Sequence, residues 1–149
     1  MAKEELRQRA LRLLARRDHT RAELTRKLSS YGSPDDVAAV VAHMAELELQ
    51  SDRRFAEQFV RSRGARYGVA RLRRELGQRG VDGTLGALAL ASELDGDELE
   101  RARRLWQARF GEAADDRREW ARQARFLQSR GFTADVIHRV LKGRFDEPA

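Results

Sequence analysis

At 149 residues the chain is long enough to bury a core, and 41% hydrophobic residues support folding, yet 36% charged residues and a mean hydropathy of −0.70 demand a large wetted surface. Cysteine is absent, which excludes disulfides, thiolate metal sites and thiol nucleophiles. The net charge is +6, and 27 of the 30 bases are Arg, the side chain that grips phosphate and carboxylate through two parallel hydrogen bonds.

The first helix is expected over Lys3–Arg16, with Leu6, Ala10, Leu13 and Leu14 on one face. Thr20 and Glu23 form a capping box for a second helix that reaches Tyr31 and is stopped by Gly32, the residue type suited to a left-handed C′ position. Ser33-Pro34-Asp35-Asp36 starts a third: a cap, proline at the first helical position, and acids at the positive end of the dipole. Ser51 or Asp52 opens a fourth helix, with Phe55, Ala56, Phe59 and Val60 as its apolar positions. Gly64 and the Tyr67-Gly68 turn precede a fifth, Val69–Arg79, ended by Gly80. Asp82 caps a sixth through about Leu94, weakened by Gly83 and Gly86. A seventh spans about Glu98–Phe110 with Leu99, Ala102, Leu105 and Trp106 inward. Asp115 or Asp116 opens the eighth, closed by Gly131, and Thr133 caps a ninth reaching Lys142-Gly143. Nothing alternates with period two for long enough to make a strand.

These elements repeat. A Leu-x-x-x-Gly step followed by a capping residue occurs at Leu28–Gly32, Leu76–Gly80 and Leu127–Gly131, its glycines 48 and 51 residues apart. Such a period implies copies of one helical unit. The fold expected is all-α: three tandem three-helix repeats, helix-turn-helix-like, at 1–49, 50–95 and 96–144 with a tail at 145–149, forming an elongated curved array. One departure stands out. The third copy has Gln123 where Leu24 and Leu72 stand, so its second helix is expected to pack in another register. Charge follows the repeats: residues 61–80 carry +6, residues 81–100 carry −6, and the blocks 1–30 and 101–130 carry +5 each. A face collecting the basic helices would attract phosphate or an acidic protein surface, although the same Arg bias also suits a merely solvated face.

The search for chemistry is short. His19, His43 and His138 belong to no ligand pair, no phosphate-binding loop is present, and the paired acids Asp35-Asp36 and Asp115-Asp116 are explained by capping. An enzyme is not expected, nor a cofactor or a metal site. Binding remains. Arg61–Arg74 interleaves Arg with Tyr67 near a bend, and Arg71, Arg74 and Gln78 are expected on one outer side of the fifth helix, with Arg73 on another. Free amides at Val69 and Ala70 would add phosphate contacts. Trp106 and Trp120 sit in apolar phase and read as core. The longest apolar run, residues 37–42, is far below the roughly 18 needed to span a membrane, and the N-terminus lacks a secretory pattern, so a cytoplasmic chain is expected.

Three stretches resemble the RecX family, bacterial regulators of the RecA recombinase: LLARRDHTRAELTRKL (Leu13–Leu28), YGVARLRRELGQRGV (Tyr67–Val81) and FLQSRGFTADVIHRVL (Phe126–Leu141). SDRRFAEQFVRSR (Ser51–Arg63) is similar to the joint between the first two. The resemblance implies a monomeric, non-catalytic protein that binds the RecA–single-stranded DNA filament and limits its growth, ATPase, strand exchange and coprotease activity. That would place it in DNA recombination, repair and the SOS response. Double-stranded DNA is a secondary partner on this reading. The binding residues it implies are Arg16, Arg17, Arg21 and Lys27 in the first repeat, Arg66, Tyr67, Arg71, Arg73 and Arg74 in the second, and Arg125 and Arg130 in the third. The rival reading is a helix-turn-helix protein that recognises duplex DNA, and a third is a helical scaffold for acidic partners.

Overall fold

The computed structural model describes residues 3–142, and among them the chain forms nine helices and no strand. They are α1 (Lys3–Arg16), α2 (Arg21–Leu28), α3 (Pro34–Glu46), α4 (Asp52–Arg63), α5 (Val69–Gln78), α6 (Gly83–Glu93), α7 (Glu98–Arg109), α8 (Arg117–Ser129) and α9 (Ala134–Leu141). Gly143 and the expected tail at 145–149 lie outside the described residues.

Side-chain caps fix most of the helix starts. Thr20 Oγ1 accepts from the Glu23 amide at 3.0 Å and the Glu23 carboxylate accepts from the Thr20 amide at 3.0 Å, the reciprocal box expected from the sequence. Ser33, Asp97, Asp116 and Thr133 accept from the third residue of α3, α7, α8 and α9. Ser51 rather than Asp52 caps α4, through the Arg54 amide at 3.1 Å. Each such cap contributes about 1 kcal/mol.

The chain forms two compact units. The first comprises residues up to Phe59 together with Leu76–Ala89; the second comprises Val60–Glu75 and the chain from Leu90 onward. Each unit thus holds one outer triplet of helices whole, with a part of the middle one. In the first, α1, α2 and α3 pack together around Leu6, Ala10, Leu24, Leu28, Val37, Val41 and Met44. In the second, α7, α8 and α9 enclose Ala102, Leu127, Phe132, Ile137 and Val140.

The third copy keeps its register. Gln123 is 2% exposed, buried like Leu24 and Leu72, and is not displaced as expected. Its amide is satisfied there: Oε1 accepts from Trp106 Nε1 at 2.8 Å, and Nε2 donates to the Glu112 carbonyl and the Glu119 carboxylate, each at 3.2 Å. A buried polar group that finds its partners costs little, so the substitution changes chemistry without moving the helix.

The three Leu-x-x-x-Gly steps are not equivalent. Gly80 and Gly131 have φ of +91° and +94°. Val81 and Phe132 donate to the Leu76 and Leu127 carbonyls at 3.0 and 3.2 Å, closing Schellman turns with a buried apolar residue after each glycine. Gly32 does not adopt the left-handed conformation expected of it, and α2 stops at Leu28 rather than Tyr31. The reason is the next residue. Where the later copies have Val81 and Phe132, the first has Ser33, which caps α3 at once. Gly32 is needed for space instead, since a Cβ there would lie 2.6 Å from Leu6 Cδ1.

The later two corners also share a seat. Within the first unit, Thr20 Oγ1 donates to the Arg79 carbonyl at 2.6 Å, and a Cβ on Gly80 would meet Ala22 Cβ. Within the second, the Gly68 amide donates to the Arg130 carbonyl at 2.7 Å, and a Cβ on Gly131 would meet Arg71 Cβ. Each corner therefore docks on the start of the second helix of the preceding triplet.

Candidate nucleic-acid and partner interface

In the first unit the expected residues gather around α2. Arg16 is exposed at the end of α1. Arg17 donates to the Asp18 carbonyl at 2.9 Å and lies 3.5 Å from the Glu23 carboxylate. Arg21 starts α2 with an exposed side chain, and its amide is held by Asp52 at 2.8 Å. Lys27 Nζ lies 3.2 Å from His19 Nε2. The Arg17 carbonyl accepts only and the Lys27 ammonium donates only, so buried His19 donates from Nδ1 (3.0 Å) and accepts at Nε2 as a neutral ring. Burial is the main cause that lowers its pKa, and the Arg17 and Lys27 charges add to it.

The acid at this junction is Glu23, 4% exposed, which faces Arg17 and also Arg79 at 3.7 Å. Its carboxylate ties two cations of this corner into the packing. Sequence reasoning found Glu23 as a capping residue and missed this second task, because Arg79 is brought beside it only by the fold.

In the second unit the Tyr67 ring is the focus. The guanidinium carbons of Arg71, Arg130 and Arg66 lie 4.1, 5.5 and 5.8 Å from its centroid. Four expected residues from two triplets are thereby joined. Arg73 and Arg74 are exposed on α5 and Arg125 on α8, and none of them is drawn into this cluster. Arg71 is not the free outer residue expected beside Arg74. It is half-buried, donates to the Ser129 carbonyl at 2.9 Å, and lies 3.8 Å from Glu75. The Val69 amide is likewise not free for phosphate, since it donates to the Glu98 carboxylate at 3.1 Å.

Two features of this unit escaped the sequence. Arg101 is 4% exposed and donates through Nε to the Gly64 carbonyl and through Nη2 to the Tyr67 carbonyl, both at 3.1 Å. It clamps the turn that presents Tyr67, and burial lowers its pKa. The second is a run of rings and cations on α7 and α8. Arg130 and Arg109 lie 5.0 and 5.3 Å from the Phe126 centroid, and Arg109 and Arg122 lie 5.9 and 5.1 Å from that of Phe110. Phe110 and Phe126 meet edge to face at 5.4 Å. Their partners come from different helices, so no spacing along the chain announces them.

Among the described residues no group of three His, Asp or Glu side chains is arranged to hold a metal, and no helix is long and apolar enough to cross a membrane. The arrangement offers guanidinium groups and half-buried rings, which is equipment for binding.

Comparison with known proteins agrees along the whole described chain. Family models for the first, second and third three-helix domains of RecX match residues 7–43, 51–90 and 96–141. The regulatory protein RecX of Chromobacterium violaceum is 45% identical over 143 residues, covering 95% of this chain and 92% of that protein. That of Halorhodospira halophila is 49% identical over 140 residues, covering 91% and 86%. A crystal structure of RecX from Lactobacillus salivarius superposes with a TM-score of 0.79 over 97% of this chain and 96% of that one, at 23% identity, a likeness of fold. The all-α architecture of three-helix repeats and the sequence matches lead to one assignment: this chain belongs to the RecX family of regulatory proteins.

Proposed function

We propose that this protein is a negative modulator of the RecA recombinase. It binds the RecA–single-stranded DNA filament through its basic surface and suppresses filament growth, ATP hydrolysis, strand exchange and coprotease activity without itself catalysing a reaction. Family membership supports the regulatory part of this reading. The observation that carries the binding part is the Tyr67 cluster, where Arg66, Arg71 and Arg130 converge on one ring and, among the described residues, only Arg71 has a carboxylate within ion-pair reach. As part of the same proposal, the chain works as a cytoplasmic monomer of three repeats at 1–49, 50–95 and 96–144. Arg16, Arg17, Arg21 and Lys27 meet the filament along with the Tyr67 cluster, Arg73, Arg74 and Arg125.

The test is ATP hydrolysis by RecA on single-stranded DNA with the purified protein added at near-stoichiometric ratios. Inhibition is expected, and undiminished hydrolysis overturns the proposal. The rival reading, recognition of a duplex sequence, requires side chains suited to base edges. The exposed side chains of α5 are Ala70, Arg73, Arg74 and Gln78, and its two exposed charges are both Arg, which favours sequence-independent contact.

A further inference from the structure

The second unit contains a continuous series in which guanidinium and aromatic groups alternate. Tyr67 is followed by Arg130, then Phe126, Arg109 and Phe110, each cation within 6 Å of the ring on either side. The three rings are half-buried. Phe126 packs against the core of the unit, so the two cations resting on it lie on a ring seated in the packing. Among the described residues, neither Arg109 nor Arg130 has a carboxylate partner, and the same is true of Arg66 at the Tyr67 end. Arg122, which also lies over Phe110, is by contrast held by Glu119, as Arg54 in the first unit is held by Asp18. Cations left unpaired in a row, and kept in place by rings, form a surface still short of its anion.

We propose that this Tyr67–Arg130–Phe126–Arg109–Phe110 series is a track for single-stranded nucleic acid. Its guanidinium groups take successive phosphates and its planar groups receive unpaired bases. The proposal deepens the reading of a nucleic-acid-bearing partner and rests on it. Charge complementarity alone would suit an acidic protein equally well, but carboxylates gain nothing from three rings, whereas every base has a π-face that stacks on an aromatic or guanidinium plane. Unpaired bases are also what separates a single strand from a duplex, which offers this surface only its backbone. The track adds Phe110, Phe126 and Arg109 to the residues that engage the partner, none of them visible as such in the sequence.

The test uses the full chain and a fluorescein-labelled oligothymidylate followed by anisotropy at several salt concentrations. Arg109→Gln and Arg130→Gln are each expected to weaken binding about 5- to 20-fold and to flatten the salt dependence by about 0.7 of a unit in log–log slope. Arg109→Lys keeps the slope but loses affinity, since an ammonium does not stack as a guanidinium does. Tyr67→Leu weakens binding about 5-fold or more with the slope unchanged. Arg139→Gln, which removes an equal charge from the Asp135 pair on α9, serves as the control and leaves binding within twofold. Equal effects of Arg139→Gln and Arg109→Gln overturn the track. So does polyglutamate that competes as well as unlabelled oligothymidylate, which would point to an acidic protein instead. RecA ATPase measured in parallel keeps the two proposals apart: wild-type protein that binds the oligonucleotide through these residues without inhibiting RecA refutes the function and leaves the track intact.

Discussion

At the corner Arg79–Gly80 a carboxylate, Glu23, faces the arginine that precedes the glycine, whereas at the corner Arg130–Gly131 the equivalent arginine lies over Tyr67. The backbone is the same in both, down to the carbonyl that receives a hydrogen bond from Thr20 in one and Gly68 in the other. In the repeat numbering His19 corresponds to Tyr67 and Glu23 to Arg71. Exchanging an acid for a base at one position turns a joint whose two arginines share a carboxylate into one where the arginines gather on a ring. The fold is therefore served by the glycine corner, and the binding chemistry by what surrounds it.

The corners themselves should prove the most sensitive points. Gly131→Val combines a left-handed φ with a Cβ pressed against Arg71, so a loss of about 3–5 kcal/mol is expected by urea denaturation. Gly32→Ala should cost less, about 1–3 kcal/mol, because its φ is ordinary and the nearest atom is the end of the Leu6 side chain. A reversed order would mean that the seats are not what the glycines serve.

Glu23→Gln should come next. It keeps an acceptor for the Thr20 amide but leaves Arg17 and Arg79 without their anion, which should cost about 1–3 kcal/mol in the same measurement. At the other corner, Tyr67→Leu removes only cation–π contacts and should cost about 1 kcal/mol or less in stability, while affinity for single-stranded DNA falls. If Tyr67→Leu proves the more destabilising of the two, the division between structural and binding corners fails.

The smallest effect concerns pH. Folding lowers the pKa of His19, so the unfolded chain binds its proton first. The associated stability is fully present above the ordinary value of about 6.5 and is lost as pH falls from there through the folded pKa. A thermal melting series from pH 7.5 to 5 should show a decline that His19→Asn reduces.

Much of the fold was legible because its signals are local. Thr20–Glu23, Ser33-Pro34 and Thr133 name helix starts through contacts spanning three residues, and the glycine period exposed the triplets. What escaped depends on distant partners. Gln123 looked like a disruption because its three partners, Trp106, Glu112 and Glu119, are named only by the fold. Arg71 looked free because Ser129 lies 58 residues away. The Tyr67 cluster was half legible: its residues were singled out one by one, but a ring shared by three guanidiniums is a property of space.

The docked corner also bears on synthesis. Thr20 precedes the Arg79 carbonyl it engages by 59 residues, and Arg71 precedes Ser129 by 58. A ribosome therefore always delivers the seat before the corner that fills it. The first corner is closed by Leu6 from its own leading helix. The chain can be assembled in the order in which it is made, each of the two later corners meeting a seat already in existence.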